Sequence, residues 1–162
     1  MAEKDLKALF HHTLKDIYFA ESAILKALPQ MAQAAKSEEL RGAFGVHVKE
    51  TEAQIKRLDK VFATLGEKPQ GIECKAITGI IAEGQEVMQE FAGGEALDAG
   101  LIAAAQAIEH YEITRYGTLL AWANQLDLQE AADLIKETLI EEENTDAILS
   151  ELAEDMVNPK AA

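Results

Sequence analysis

The chain has 162 residues and a formal net charge of −14, from 15 Lys and Arg against 29 Asp and Glu. A negative field of that size repels phosphate, which argues against nucleic-acid binding, and it attracts cations. Hydrophobic residues at 48 % supply a core that a disordered acidic chain lacks, and with only 3 prolines the composition favours helix over sheet.

The single cysteine, Cys74, excludes an internal disulfide and fits a reducing compartment. Met1–Asp5 has neither the basic nor the apolar region of a signal peptide, and no stretch approaches the ~18 apolar residues of a membrane span. The expectation is one acidic, cytoplasmic helical domain over residues 1–162, with no nucleic-acid or membrane partner.

Apolar residues recur at steps of three and four through four long segments. Segment A runs from about Lys4 to Ala35, and Pro29 inside it should kink or break the helix. Segment B starts behind Ser37 as N-cap, with Glu38 and Glu39 at the positive helix end. Gly66 suits its left-handed terminus and Pro69 stops continuation. A shorter linking helix covers about Glu73 to Phe91 and ends at Gly93-Gly94. Segment C follows from Glu95 to about Asn124. Asp127 with Glu130 reads as a capping box for segment D, which continues to about Met156 until Asn158-Pro159 ends it. Two antiparallel hairpins, A–B and C–D, joined by a short extra helix make an all-α four-helix bundle.

The informative feature is acid on the apolar faces. Glu21 sits between Ile17 and Ile24, and His47 between Phe44 and Thr51, with Glu50 at the edge of that face. Glu109 and Glu112 align with Ala105, Ile108 and Tyr116. Glu142 lies between Leu139 and Asp146, and Glu143 flanks it. Counted from turns at Ser37 and Gln125, the inward carboxylates of each hairpin match in depth to within about 2–5 Å. Ionised carboxylates in one core repel and are costly to desolvate, so either some are protonated or cations sit among them. Two divalent metals bound by oxygen and at most one imidazole suit iron or manganese, with iron preferred, better than thiolate-rich zinc. Each position also has a structural reading. His47 alone would usually be a hydrogen-bonded core or boundary histidine, Tyr18, Tyr111 and Tyr116 pack with a polar handle, and His110 is turned about 100° away from Glu109.

The stretches Asp16-Ile-Tyr-Phe-Ala-Glu21, His47-Val-Lys-Glu-Thr51 with Gln54, Glu109-His-Tyr-Glu112 with Tyr116, and Glu141-Glu-Glu-Asn-Thr-Asp146 resemble the ferritin-like YciE/YciF family of bacterial stress proteins. So do Cys74-Lys-Ala, Leu101-Ile-Ala-Ala-Ala-Gln106 and Lys136-Glu-Thr-Leu139. The resemblance implies a ferritin-like bundle, a di-iron site, a homodimer and stress-linked expression. Wider ferritin relatives carry Glu-x-x-His on two helices. Here Ala53 stands where the first His would be and Asp146 where the second would be. Helical phase favours Glu142 and the family spacing favours Glu143 with Asp146. The expected function is a dinuclear carboxylate protein with ferroxidase or peroxide-consuming chemistry. In it Glu50 and one of Glu109, Glu112, Glu142 or Glu143 bridge the metals, and Glu21, Asp146 and His47 are terminal ligands. The alternative is a non-catalytic helical stress protein acting through protein contacts.

Overall fold

The computed structural model describes residues 4–162, so the expectation for Met1–Asp5 falls mainly outside it. The described residues form α1 (Leu6–Ala34), α2 (Glu38–Thr64), α3 (Lys75–Glu90), α4 (Leu97–Gln125), α5 (Gln129–Leu152), a π-helical turn (Ala153–Val157) and α6 (Asn158–Ala161), with no strand among them. Helix α1 packs on α2 and α4, and α5 packs on α2 and α4, which closes a four-helix ring of two hairpins. Helix α3 lies outside the ring against α4 and α1. The expected all-α architecture of two hairpins with a linking helix is the one observed. No described helix is long and apolar enough to cross a membrane.

Caps explain several boundaries. The Asp5 carboxylate accepts the Ala8 N–H, and Ser37 Oγ accepts the Leu40 N–H. Gly66 takes φ +69°, and the Glu67 N–H returns to the Phe62 carbonyl to close α2. The crossover to α3 then runs over α1. A Cβ on Gly71 would lie 3.2 Å from Phe19 Cβ, tighter than side chains ordinarily pack, so glycine eases the close passage of the backbone there.

Three boundary expectations need correction. Helix α1 is not broken at Pro29 but continues through it, and Pro29 is exposed, so water can take the backbone acceptor that its missing N–H leaves free. Asp127 does not cap α5. It sits at φ 55° and closes α4, with the Leu128 N–H bonded to the Ala123 carbonyl at 2.9 Å. A residue spent in the left-handed region cannot also supply the extended backbone of an N-cap. Asn158-Pro159 does not end the helical path either. Pro159 cannot donate to the fourth residue before it, and the chain widens into the π-turn, with the Asn158 N–H reaching the Ala153 carbonyl, before α6.

Candidate metal centre

The buried stripe of α2 reads Phe44, His47, Thr51, Gln54, Leu58, at alternating steps of three and four. Three successive core positions are therefore polar. Facing them, α4 buries Glu109 and Glu112 between Ile108 and Tyr116, α5 buries Glu142, and α1 buries Glu21 between Ile17 and Ile24. Glu21, Glu112 and Glu142 are 0 % exposed, Glu109 1 % and His47 3 %.

His47, Glu109, Glu112 and Glu142 each bring one donor atom within 4.8 Å of the others. His47 Nε2 lies 2.9 Å from Glu109 Oε1, and Nδ1 lies 3.5 Å from Glu50 Oε2. Neither ring nitrogen has the alignment of a hydrogen bond, despite those distances. The remaining sequence-predicted residues lie around this group. Glu21 accepts a short hydrogen bond from the Tyr116 hydroxyl and adjoins Glu112. Glu50 is at the rim, one third exposed, and accepts from Thr145 Oγ1 at 3.2 Å. Glu143 is exposed. Asp146 is engaged outside the cluster, with His110 Nε2 at 3.0 Å and Gln106 Nε2 at 3.2 Å. Between the two residues left open on α5, it is Glu142 that joins the buried group.

Burial dominates the electrostatics. It raises Glu21 to about 7, even though the Tyr116 hydrogen bond and the adjoining Glu112 pull the other way. It pushes Glu112 well above the carboxylate range, reinforced by the charges of Glu21 and Glu109. Glu142 is likewise held high by burial and then by Glu112 and Glu109. For His47 burial works downward, but the carboxylates of Glu109 and Glu50 outweigh it and hold the imidazole at about 10. Glu50 is lowered by His47. Tyr116 is pushed up by burial and by Glu21.

These side chains suit a cation. Glu21 Oε2, both nitrogens of His47, Glu109 Oε2 and both oxygens of Glu112 and of Glu142 are buried with no hydrogen-bond partner. Each such orphan costs about 1–3 kcal/mol, and more when charged, unless a cation or proton satisfies it. Carboxylate and imidazole are donors for divalent metals, so the cluster can hold an ion.

Partners on other helices were not visible in the spacing. Tyr116, expected to be a packing residue, also orients Glu21. Gln54 donates to Glu141 at 3.0 Å while its buried Oε1 stays free. Asp98, buried at the start of α4, accepts the N–H groups of Lys36 at 2.8 Å and Ser37 at 2.7 Å, tying the α1–α2 turn to α4. Cys74 caps α3 and lies 3.0 Å from the Tyr111 hydroxyl, which also donates to Asp16. A polar core run such as His47, Thr51 and Gln54 was the one signal that could have flagged Gln54.

Protein YciF of Escherichia coli K12 is 44 % identical over 162 residues, 99 % of this chain and 98 % of the relative. The crystal structure of the E. coli stress protein YciF superposes with a TM-score of 0.92 and 44 % identity, covering 98 % of this chain and all of that one. The structure of YcfI from Rhodopseudomonas palustris gives 0.89 at 43 % identity over 93 % of this chain and 97 % of that one. A protein from Xanthomonas campestris pv. campestris, at 21 % identity and a TM-score of 0.75 over 95 % of this chain and 94 % of that one, shares the fold. Residues 5–162 match the model of DUF892, a domain of unknown function, and the chain belongs to that family.

Proposed function

We propose that the chain is a dinuclear carboxylate metalloprotein of the bacterial stress response, binding two divalent ions, iron in preference to manganese, at the centre of the bundle. The observation that carries this reading is the set of unpartnered donor atoms, with His47, Glu109, Glu112 and Glu142 of three helices gathered within 4.8 Å of one another and Glu21 of a fourth beside Glu112. His47, Glu109, Glu112 and Glu142 would hold one ion. Glu21 with Glu112 would hold the second, and Glu50 at the rim would complete the set. Five carboxylates then face two divalent cations, which nearly neutralises a core that is otherwise strongly negative.

Bound iron would supply one-electron redox chemistry toward oxygen or peroxide. The protein's own part is clear from its residues. The bundle excludes water around Glu112 and Glu142, Tyr116 fixes the orientation of Glu21, and Glu109 and Glu50 flank the two ring nitrogens of His47 and set its orientation. Glu143 and Asp146 are left out of the proposed ligand set. One is exposed, and the other is occupied by His110 and Gln106.

The raised Glu21, Glu112 and Glu142 also favour a second reading, in which protons rather than metals satisfy the cluster and the protein acts through contacts with other proteins. Anaerobic Fe(II) titration followed by elemental analysis separates the two. Two irons per chain and subsequent consumption of oxygen or peroxide support the metalloprotein. Protein from iron- and manganese-supplemented cells that carries no stoichiometric metal, and whose melting is unmoved by chelator, refutes it. Stoichiometric metal without turnover leaves a carrier. A homodimer, proposed from the family resemblance, is read by light scattering.

A further inference from the structure

A pocket of about 190 Å³ lies between α2, α4 and α5, directly over one side of the acid cluster. Phe44, Ala105 and Leu149 form its walls, while His47 and Glu109 reach it from below. At its mouth stand Val46 and Ile148, large aliphatic side chains 58 % and 50 % exposed. Both floor residues are more than nine-tenths buried, and the His47 nitrogens and Glu109 Oε2 lack hydrogen-bond partners. The pocket therefore joins an apolar body site to an unsatisfied polar end, which is the usual build of a small-molecule site.

Size and polarity narrow the occupant. An apolar cavity of about 150 Å³ takes benzene, so this one suits a body of one ring or a comparable branched hydrocarbon. The floor offers an imidazole N–H donor and carboxylate acceptors, so the matching head must both accept and donate. A hydroxyl or hydroperoxyl group does both. A carboxylate can only accept, and it would enter beside Glu50 and Glu109 in a chain of net charge −14. An ammonium can only donate.

We propose that this pocket binds small neutral molecules with a one-ring or branched hydrocarbon body and a hydroxyl or hydroperoxyl head, the head seated at His47 and Glu109, and that the substrate class is an organic hydroperoxide. The binding claim stands on the pocket alone, and the substrate claim rests on the dinuclear reading above. In that reaction the O–O bond of ROOH breaks, and two electrons and two protons convert it to ROH and water. The two electrons would come from two bound ferrous ions, one each, and the two protons from solvent water entering at the pocket mouth.

The probe for binding is 2-phenyl-2-propanol, the unreactive alcohol that cumene hydroperoxide would yield, added to chelator-treated full-length protein and followed by methyl NMR. Saturable shifts are expected at Val46, Ile148 and Leu149. Cumene, which lacks the hydroxyl, should bind about tenfold more weakly, the worth of one or two hydrogen bonds. Negatively charged 2-phenylpropanoate should not bind. Ile148→Glu and Val46→Glu, both at exposed positions, should each weaken the alcohol by more than about tenfold with helical circular dichroism intact. No saturable shift, equal binding of the carboxylate, or undiminished binding in both variants overturns the proposal. So does concentration-dependent burial of Val46 and Ile148 against a second copy of the chain. With two ferrous ions bound, the alcohol should slow the single-turnover consumption of cumene hydroperoxide, an effect that excess hydroperoxide relieves, and absence of that competition overturns the substrate claim. Alcohol binding without iron uptake refutes the dinuclear reading only. Iron uptake without alcohol binding refutes the pocket only.

Discussion

Stripped of metal, the protein should lose stability as pH rises from 5 to 8. Glu21 is held at about 7 against 4.5 in the unfolded chain, so between those values the folded state binds more protons than the unfolded one. Its stabilising contribution is therefore complete below 4.5 and lost as pH climbs through 7. Glu112 and Glu142, raised further by burial, act in the same direction from the same starting pH. His47, held at about 10 against 6.5, begins to lose its contribution above 6.5. For Glu21 alone the loss by pH 8 is about 3 kcal/mol, and a chain of this size then melts roughly 6–12 °C lower. Differential scanning calorimetry of chelator-treated protein at pH 5, 6, 7 and 8 measures the slope. Glu21→Gln, which keeps an acceptor for Tyr116 but cannot ionise, should remove about that share. Repeating the series in 0.5 M salt separates the buried cluster from general repulsion at the acidic surface, because salt screens exposed charges and hardly reaches buried ones. A melting temperature that is flat or rising with pH would refute the reasoning. If two divalent ions displace those protons, as the dinuclear proposal requires, metal-loaded protein should show a much shallower slope.

Other outcomes test the frame around the cluster. Asp98→Ala removes two charge-assisted hydrogen bonds at a buried position and should cost about 2–3 kcal/mol in urea unfolding. Arg57 bonds Thr138 at 2.7 Å and Glu141 at 2.8 Å, clasping α2 to α5. Arg57→Ala should cost about 1–2 kcal/mol, and a double-mutant cycle with Glu141→Gln should show that most of it is shared. A Cβ on Gly100 would meet Val87 Cγ1 at 2.5 Å, so Gly100→Ala should destabilise the α3–α4 contact by about 1–3 kcal/mol by calorimetry. Gly84→Ala, whose Cβ would lie 3.3 Å from Ala104, should cost less.

What could be read in advance was whatever repeats along one helix. The three-and-four spacing of Leu14, Ile17, Ile24 and Leu28 placed α1, and the same phase put Glu21, Glu109, Glu112 and Glu142 inside, where they are found. Features set by backbone hydrogen-bond geometry at a single residue were misread. Pro29 was read as a kink or a break, and the break did not follow because the effect depends on which face the residue occupies; Asp127 was read as a cap because its side chain suits a cap and a left-handed turn equally well. Contacts between distant helices left no trace in the spacing. Asp98 reaches across more than sixty positions to Ser37, and Tyr116 reaches Glu21 from the opposite hairpin. Both residues look ordinary on their own helices.

The contest between Glu142 and Glu143 shows why phase was the better guide to burial. A motif spacing carried over from relatives assumes that the same turn of α5 faces inward. Helical phase uses the apolar residues of this chain itself, and Ala131, Ala132, Ile135 and Thr138 point α5 so that Glu142 continues the buried stripe. Glu143 is one residue further, about 100° around the axis, and meets solvent. Asp146, four beyond Glu142, could have followed it inward, but Gln106 and His110 on α4 hold its carboxylate at the bundle surface. The acid chemistry of the core is thus set by which partners each carboxylate lacks. Asp146 and Glu141 have theirs, and Glu112 and Glu142 do not, which is why a cation or a proton must come to them.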